Sequence, residues 1–152
     1  MPSNQDSGSK RTIAMVAHDK MKPVLLEWAM ENQDLLRNFR IVATGTTGRV
    51  LSENLKGVDI ECFKSGPLGG DLQIGAMIST GDLEALFFLV DPMTPQPHDV
   101  DVKALIRIST LYETPVACNR TTADFVLRGI TDPAYVRRPA HPMIEAYVQR
   151  SV

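Results

Sequence analysis

The sequence predicts an α/β domain built on a parallel β-sheet with right-handed crossovers. Short apolar runs rich in β-branched residues alternate along the chain with longer amphipathic segments. Most of these runs are apolar throughout, as strands are when helices cover both faces of their sheet. At 152 residues the chain is one domain, long enough to bury a single sizeable core.

The elements follow in order. The start, MPSNQDSGSKR, is polar and lacks the apolar centre of a signal peptide, so residues 1–11 read as a disordered tail before a domain spanning 12–152. Strands are expected at 12–17 (TIAMVA), 40–44 (RIVAT), 58–63 (VDIECF), 85–90 (ALFFLV) and 115–118 (PVAC). Helices are expected between them at about 21–32, 47–55, 72–80 and 100–111, with a fifth at 122–128. From residue 131 on, prolines and arginines are mixed with a short amphipathic piece at 143–150.

Composition narrows the function. A net charge of −2 argues against a nucleic-acid surface, which would concentrate basic residues. No apolar run approaches the roughly 20 residues of a membrane span. Cys62 and Cys118 each fall in an expected strand without CxxC or metal spacing, and read as small core residues in a reducing cytoplasm.

The chemistry lies in four polar loops, each after a strand, where open α/β sheets bind ligands. The turn Ser65-Gly66-Pro67-Leu68-Gly69-Gly70-Asp71 is shaped for close approach and ends in a carboxylate. Such a turn suits a phosphate, which Asp71 would repel, so Asp71 reads as a proton-transfer group; the alternative is a helix N-cap. The stretch Thr44-Gly45-Thr46-Thr47-Gly48 offers hydroxyls and amides for an anion, with one Thr N-cap as the alternative. It lacks the lysine of a Walker A loop.

The first loop, 17–22, supplies His18 directly after a strand, Lys22 to complete a phosphate site, and Asp19 to orient either. The fourth loop, 91–101, is stiffened by Pro92, Pro95 and Pro97 and delivers His98, Asp99 and Asp101. No HxH or HExxH pair fixes two metal ligands on one element, so no required metal is expected. Phosphate anchors, a carboxylate base and an imidazole together point to proton abstraction next to a carbonyl on a small sugar phosphate.

These loops resemble those of the methylglyoxal synthases. The resembling motifs are VAHDxxK (16–22), ATGTTG (43–48), SGPxGGD (65–71) and DP-x5-HDxDVKAL (91–105), continued by TPVAxN (114–119) and TADF (122–125). They cover about residues 13–127 in the family's order and spacing. The resemblance implies a five-stranded, doubly wound (Rossmann-like) sheet with helices on both faces. It implies conversion of dihydroxyacetone phosphate to methylglyoxal and inorganic phosphate, which is also an expected inhibitor, by a cytoplasmic homohexamer with no metal or organic cofactor. Asp71 matches the family's base, and His98 the histidine that holds the substrate's oxygens and shuttles the proton. His18, Lys22, Thr44, Gly45, Thr46, Thr47, Ser65 and Gly66 match substrate- and phosphate-holding positions, Asp19 is counted with them, and Asp101 sits in the same site. Arg150 is the candidate for an arginine that reaches a neighbour's active site. Residues 135–141 do not resemble the apolar strand usual there. Two other readings of this fold are a phosphate-binding regulatory domain and a different sugar-phosphate enzyme such as an isomerase. The first has no use for Asp71 and His98 together.

Overall fold

The computed structural model describes residues 9–95 and 99–150. Five strands, β1 (Arg11–Ala17), β2 (Phe39–Thr44), β3 (Asp59–Phe63), β4 (Ala85–Leu89) and β5 (Val116–Ala117), form one parallel sheet in the order β3-β2-β1-β4-β5. The helices are α1 (Lys22–Glu31), α2 (Gln33–Leu36), α3 (Gly45–Asn54), α4 (Gly70–Ser79), α5 (Asp99–Leu111), α6 (Arg120–Thr131) and α7 (Met143–Arg150).

The two-residue alternation of a strand divides the core into two halves. On one face Ile13, Met15, Ile41 and Phe87 pack with Leu25 and Trp28 of α1, Leu51 of α3 and Leu127 of α6. On the other, Ala14, Val16, Val42 and Phe88 pack with Ile74 and Ile78 of α4 and Val102 and Leu105 of α5. Helices therefore cover both faces, and the expected doubly wound architecture is observed. Trp28 joins two helices as well as filling the core: its Nε1 donates to Asp124 Oδ1 on α6 at 2.8 Å. After β3 the chain returns past β1 to β4, so the strand order reverses between β1 and β4. That switch point opens a crevice at the carboxyl ends of the strands.

Several boundaries differ from expectation. Helix α3 begins at Gly45 directly on Thr44, so the expected glycine-threonine loop is the first turn of the helix. Helix α4 likewise begins at Gly70, two residues before the expected start. Arg11, assigned to the tail, starts β1; it pairs with Glu84 at 3.5 Å and lies over the Phe39 ring at 5.2 Å. Residues 1–8 of that tail lie outside the described residues. Residues 135–141 form no strand. Among the described residues no helix is long and apolar enough to cross a membrane.

The cysteines are the clearest correction. Cys62 is exposed and Cys118 half-buried, because β3 and β5 are the two edges of the sheet. Strand β3 shows Asp59, Glu61 and Cys62 to solvent, and Arg40 of β2 pairs with Glu61. Burial pushes the Cys118 thiol up, which lowers its thiolate fraction. Iodoacetamide at neutral pH is therefore expected to alkylate Cys62 before Cys118, read by peptide mass spectrometry.

Candidate active site

The carboxyl ends of the first three strands each feed directly into a helical turn, and the three turns meet in one cleft. A volume of about 410 Å³ is lined by His18, Asp19 and Lys22 after β1, by Thr44, Thr46 and Thr47 after β2, and by Ser65, Gly66, Pro67 and Asp71 after β3. Val16, Ala17, Phe88 and Val102 form its apolar floor. A depression of about 480 Å³ on α1 draws its lining from that helix alone, between Pro23 and Glu31, and is a surface groove.

Each wall has a local cause. Thr44 occupies the N-cap of α3 in an extended conformation, but its side chain makes no capping hydrogen bond. The first-turn amides of Thr46 and Thr47 are therefore left by the helix geometry for an outside acceptor. Gly45 holds this turn against the next loop. Its φ is +23°, its amide donates to the Lys64 carbonyl at 3.3 Å, and a Cβ on it would sit 2.7 Å from Ser65 Cα.

The turn after β3 is closed by its own backbone. Leu68 and Gly70 amides both donate to the Ser65 carbonyl at 3.0 Å. Gly69, with φ 104°, is the N-cap of α4, so Asp71 is not the cap. Asp71 stands inside the first turn, where the positive end of the helix dipole favours its charge. Its carboxylate lies over Gly66: a Cβ there would be 3.3 Å from Oδ2. The tightest contact is at Gly70, where a Cβ would fall 1.9 Å from the Lys64 carbonyl oxygen.

Lys22 opens α1, which is the wrong helix end for a cation. Its side chain is only 18% exposed, and its ammonium is held by Asp19, whose side chain is 94% exposed. The hydrogen bond from Lys22, and then its charge, hold the Asp19 carboxyl below the ordinary carboxylate value. The sign follows from a depressed folded-state value. The contribution of the pair is complete above the ordinary carboxylate range and is lost as pH falls through the lowered value, so the pair persists at neutral pH. Asp19 thus orients Lys22.

His18 is fixed from the β4 side. The Asp91 amide donates to His18 Nδ1 at 2.9 Å, and the ring stands edge-on to Phe88 at 5.3 Å. An Nδ1 that accepts leaves the ring proton of the neutral imidazole on Nε2, as a donor. Asp91 itself ties down the start of the fourth loop. The Met93 amide donates to its Oδ1 at 2.9 Å and the Thr94 amide at 3.2 Å. The Met93 amide first, then the Thr94 hydroxyl and amide, keep its carboxyl below the ordinary value. The sequence loops taken one by one assign Asp91 no role; the signal available was an acid directly after an apolar run.

The other expected residues are placed as follows. Gly45 is behind the cleft wall rather than on its surface. Asp101 lines an adjoining groove between α4 and α5, which it shares with Asp71 and Leu105. Arg150 ends α7, none of whose residues is buried, and does not line this cleft. His98 lies outside the described residues. Among the described residues, no group of three His, Cys, Asp or Glu side chains is arranged to hold a metal ion.

A five-stranded parallel domain with a polar cleft at its switch point, walled by helix N-termini, defines the class. The family model of the MGS-like domain matches residues 24–118. The chain is 54% identical to the methylglyoxal synthase of Oleidesulfovibrio alaskensis over 118 residues, 78% of this chain and 80% of that one. It is 51% identical to that of Rhizobium rhizogenes, over 79% of this chain and 95% of the relative. To that of Coxiella burnetii it is 45% identical over 143 residues, 93% of this chain and 98% of the relative. The crystal structure of methylglyoxal synthase from Elizabethkingia anophelis superposes with a TM-score of 0.80 at 41% identity, covering 94% of this chain and 93% of that one.

The chain belongs to the methylglyoxal synthase family and is, with it, a lyase.

Proposed function

We propose that the cleft eliminates phosphate from dihydroxyacetone phosphate through an enediolate, giving methylglyoxal and inorganic phosphate. The observation that carries this reading is the Asp71 carboxylate beside groups that attract an anion: the first turn of α3, the turn ahead of α4, and Lys22, on which the cleft's other carboxylate, Asp19, is spent. A carboxylate in such a place is useful as a base and harmful as a phosphate ligand.

The steps are as follows. The phosphate sits against the Thr46 and Thr47 amides and hydroxyls, Ser65 and Lys22. Asp71 removes the proton from the carbon bearing the free hydroxyl, and the electron pair forms the enediolate. His18 Nε2–H and His98 stabilise charge on the oxygens, with His98 assigned from the family resemblance. The enediolate then collapses: the terminal hydroxyl gives up its proton and becomes the aldehyde carbonyl, the carbon–carbon double bond shifts toward the phosphate-bearing carbon, the carbon–oxygen bond to phosphate breaks, and phosphate leaves with that bond's electron pair. The enolate left behind takes a proton on its terminal carbon and becomes methylglyoxal. Elimination requires the breaking bond to overlap the π system. A phosphate gripped out of the enediol plane is eliminated, whereas one held in the plane stays attached, as in an isomerase.

The deciding experiment is incubation with dihydroxyacetone phosphate, assaying methylglyoxal separately from glyceraldehyde 3-phosphate. Methylglyoxal with equimolar phosphate is expected. Glyceraldehyde 3-phosphate alone would make the protein an isomerase, and no turnover would make it a binding domain.

Lys22→Ala is expected to raise KM for the substrate by about tenfold or more, the worth of a charge-assisted hydrogen bond. Inorganic phosphate should compete with substrate in the wild type and much more weakly in the variant, as steady-state inhibition would reveal.

The reaction draws its counter-charge from protein groups and calls on no metal or organic cofactor. The resemblance further supports a cytoplasmic homohexamer in which Arg150 completes a neighbour's cleft. Exposed Tyr147 and Val148 on α7 and the open β3 edge are surfaces such an assembly would cover.

A further inference from the structure

At the opposite end of the sheet, the C-terminus of α5, the start of β5 and the segment 135–141 enclose a second cavity of about 310 Å³. It is rich in cations. Arg137, Arg138 and His141 line it, with Glu113 as its one carboxylate. Neither arginine has an ion-pair partner among the described residues. Arg137 spends Nη1 on the Leu83 and Glu84 carbonyls, at 2.8 and 3.4 Å, which anchors the segment below β4 and leaves its other N–H donors uncommitted. His141 accepts the Met143 amide at Nδ1, at 3.1 Å, so its Nε2 is the donor in the neutral ring.

A second observation comes from the helix side. Ser109 lines the cavity, is 0% exposed, and its Oγ is a buried polar atom with no hydrogen-bond partner. A helical serine can bond back to the carbonyl four residues earlier, as Thr110 does to Ile106 at 2.8 Å. Ser109 makes no such bond, and a buried hydroxyl left unpaired is costly. The helix ends here with Thr114 N–H on the Ser109 carbonyl at 2.9 Å and Glu113 at φ 55°, in the left-handed position usually held by glycine.

We propose that this cavity is a second ligand site, for a small oxyanion carrying a phosphate or carboxylate group. Two unpaired guanidinium groups, an imidazole N–H and an unsatisfied hydroxyl supply donors for such a group, and one glutamate leaves the local charge positive. The site is independent of the reading of the cleft, which meets α5 at Val102, about 10 Å of helix rise from Ser109.

Two measurements test it. Crystals of the intact chain are soaked in selenate and its anomalous scattering is mapped. A peak between Arg138 and Ser109 is expected. Calorimetric titrations with inorganic phosphate and with malonate then compare the wild type, Arg138→Gln and Ser109→Ala, the tighter probe giving the ligand class. Both variants are expected to bind at least about tenfold more weakly at this site with methylglyoxal formation unchanged, since one charge-assisted bond is lost in Arg138→Gln. Ser109→Ala removes the orphaned hydroxyl and should fold at least as well as the wild type. Selenate in the cleft with none in this cavity, or equal affinity in all three proteins, would overturn the proposal.

Discussion

Asp71→Asn is expected to lower turnover by about 10² to 10⁴, the usual worth of a general base. The substitution keeps the shape of the side chain and its packing over Gly66, so the fold and the phosphate cradle should survive. The change should therefore fall on kcat, while binding of a non-reacting substrate analogue stays near the wild-type value or tightens, because a charge that repels phosphate is gone. Exchange of the substrate's carbon-bound proton with deuterated solvent reports the first proton transfer directly and should fall in parallel. Near-normal exchange in this variant would remove Asp71 from the mechanism.

The second large effect is expected at a residue with no chemistry of its own. Gly70→Ala places a Cβ 1.9 Å from the Lys64 carbonyl oxygen and 3.0 Å from Thr44 Cγ2, both inside normal contact. The backbone oxygen cannot rotate away as a side chain can, because it also accepts the Gly45 amide. The strain must instead move the first turn of α4 relative to that of α3. Those turns carry Asp71 and the anion-facing threonines, and a misplacement of about 1 Å costs on the order of a hundredfold in rate. Turnover should fall at least that far, with a lower Tm. Unchanged kinetics would mean that the two turns need not be held in register.

Much of this site is legible along the chain because glycine-rich turns and polar loop residues are local signals. The turns after β1, β2 and β3 and the start of the segment after β4 lie where reading by alternation puts them. A single loop read in isolation leaves alternatives that the assembled cleft removes. Taken alone, Asp71 suits a helix cap, yet Gly69 holds that position because only its left-handed conformation lets the turn close. Asp91 draws no notice by itself, since its effect runs through an amide bonded to a histidine 73 residues away. Asp101 belongs with the other acids by spacing, yet the rotation of α5 turns it into the neighbouring groove. Cys62 reads as a core residue only if β3 has helices on both sides, and edge position leaves it open.

The sequence by itself determined the fold class, the positions of the strands and the turns that line the cleft. These follow from hydrophobic period and glycine placement, properties of neighbouring residues. The strand order, and with it the crevice between β1 and β4, was decided only by the tertiary structure. So were the exposed sheet edges, the joining of three helical turns into one cleft, and the gathering of Arg137, Arg138, His141 and Ser109 at the far end of α5. Each depends on pairing between residues distant in the chain, and a parallel sheet makes every one of its pairings over such distances.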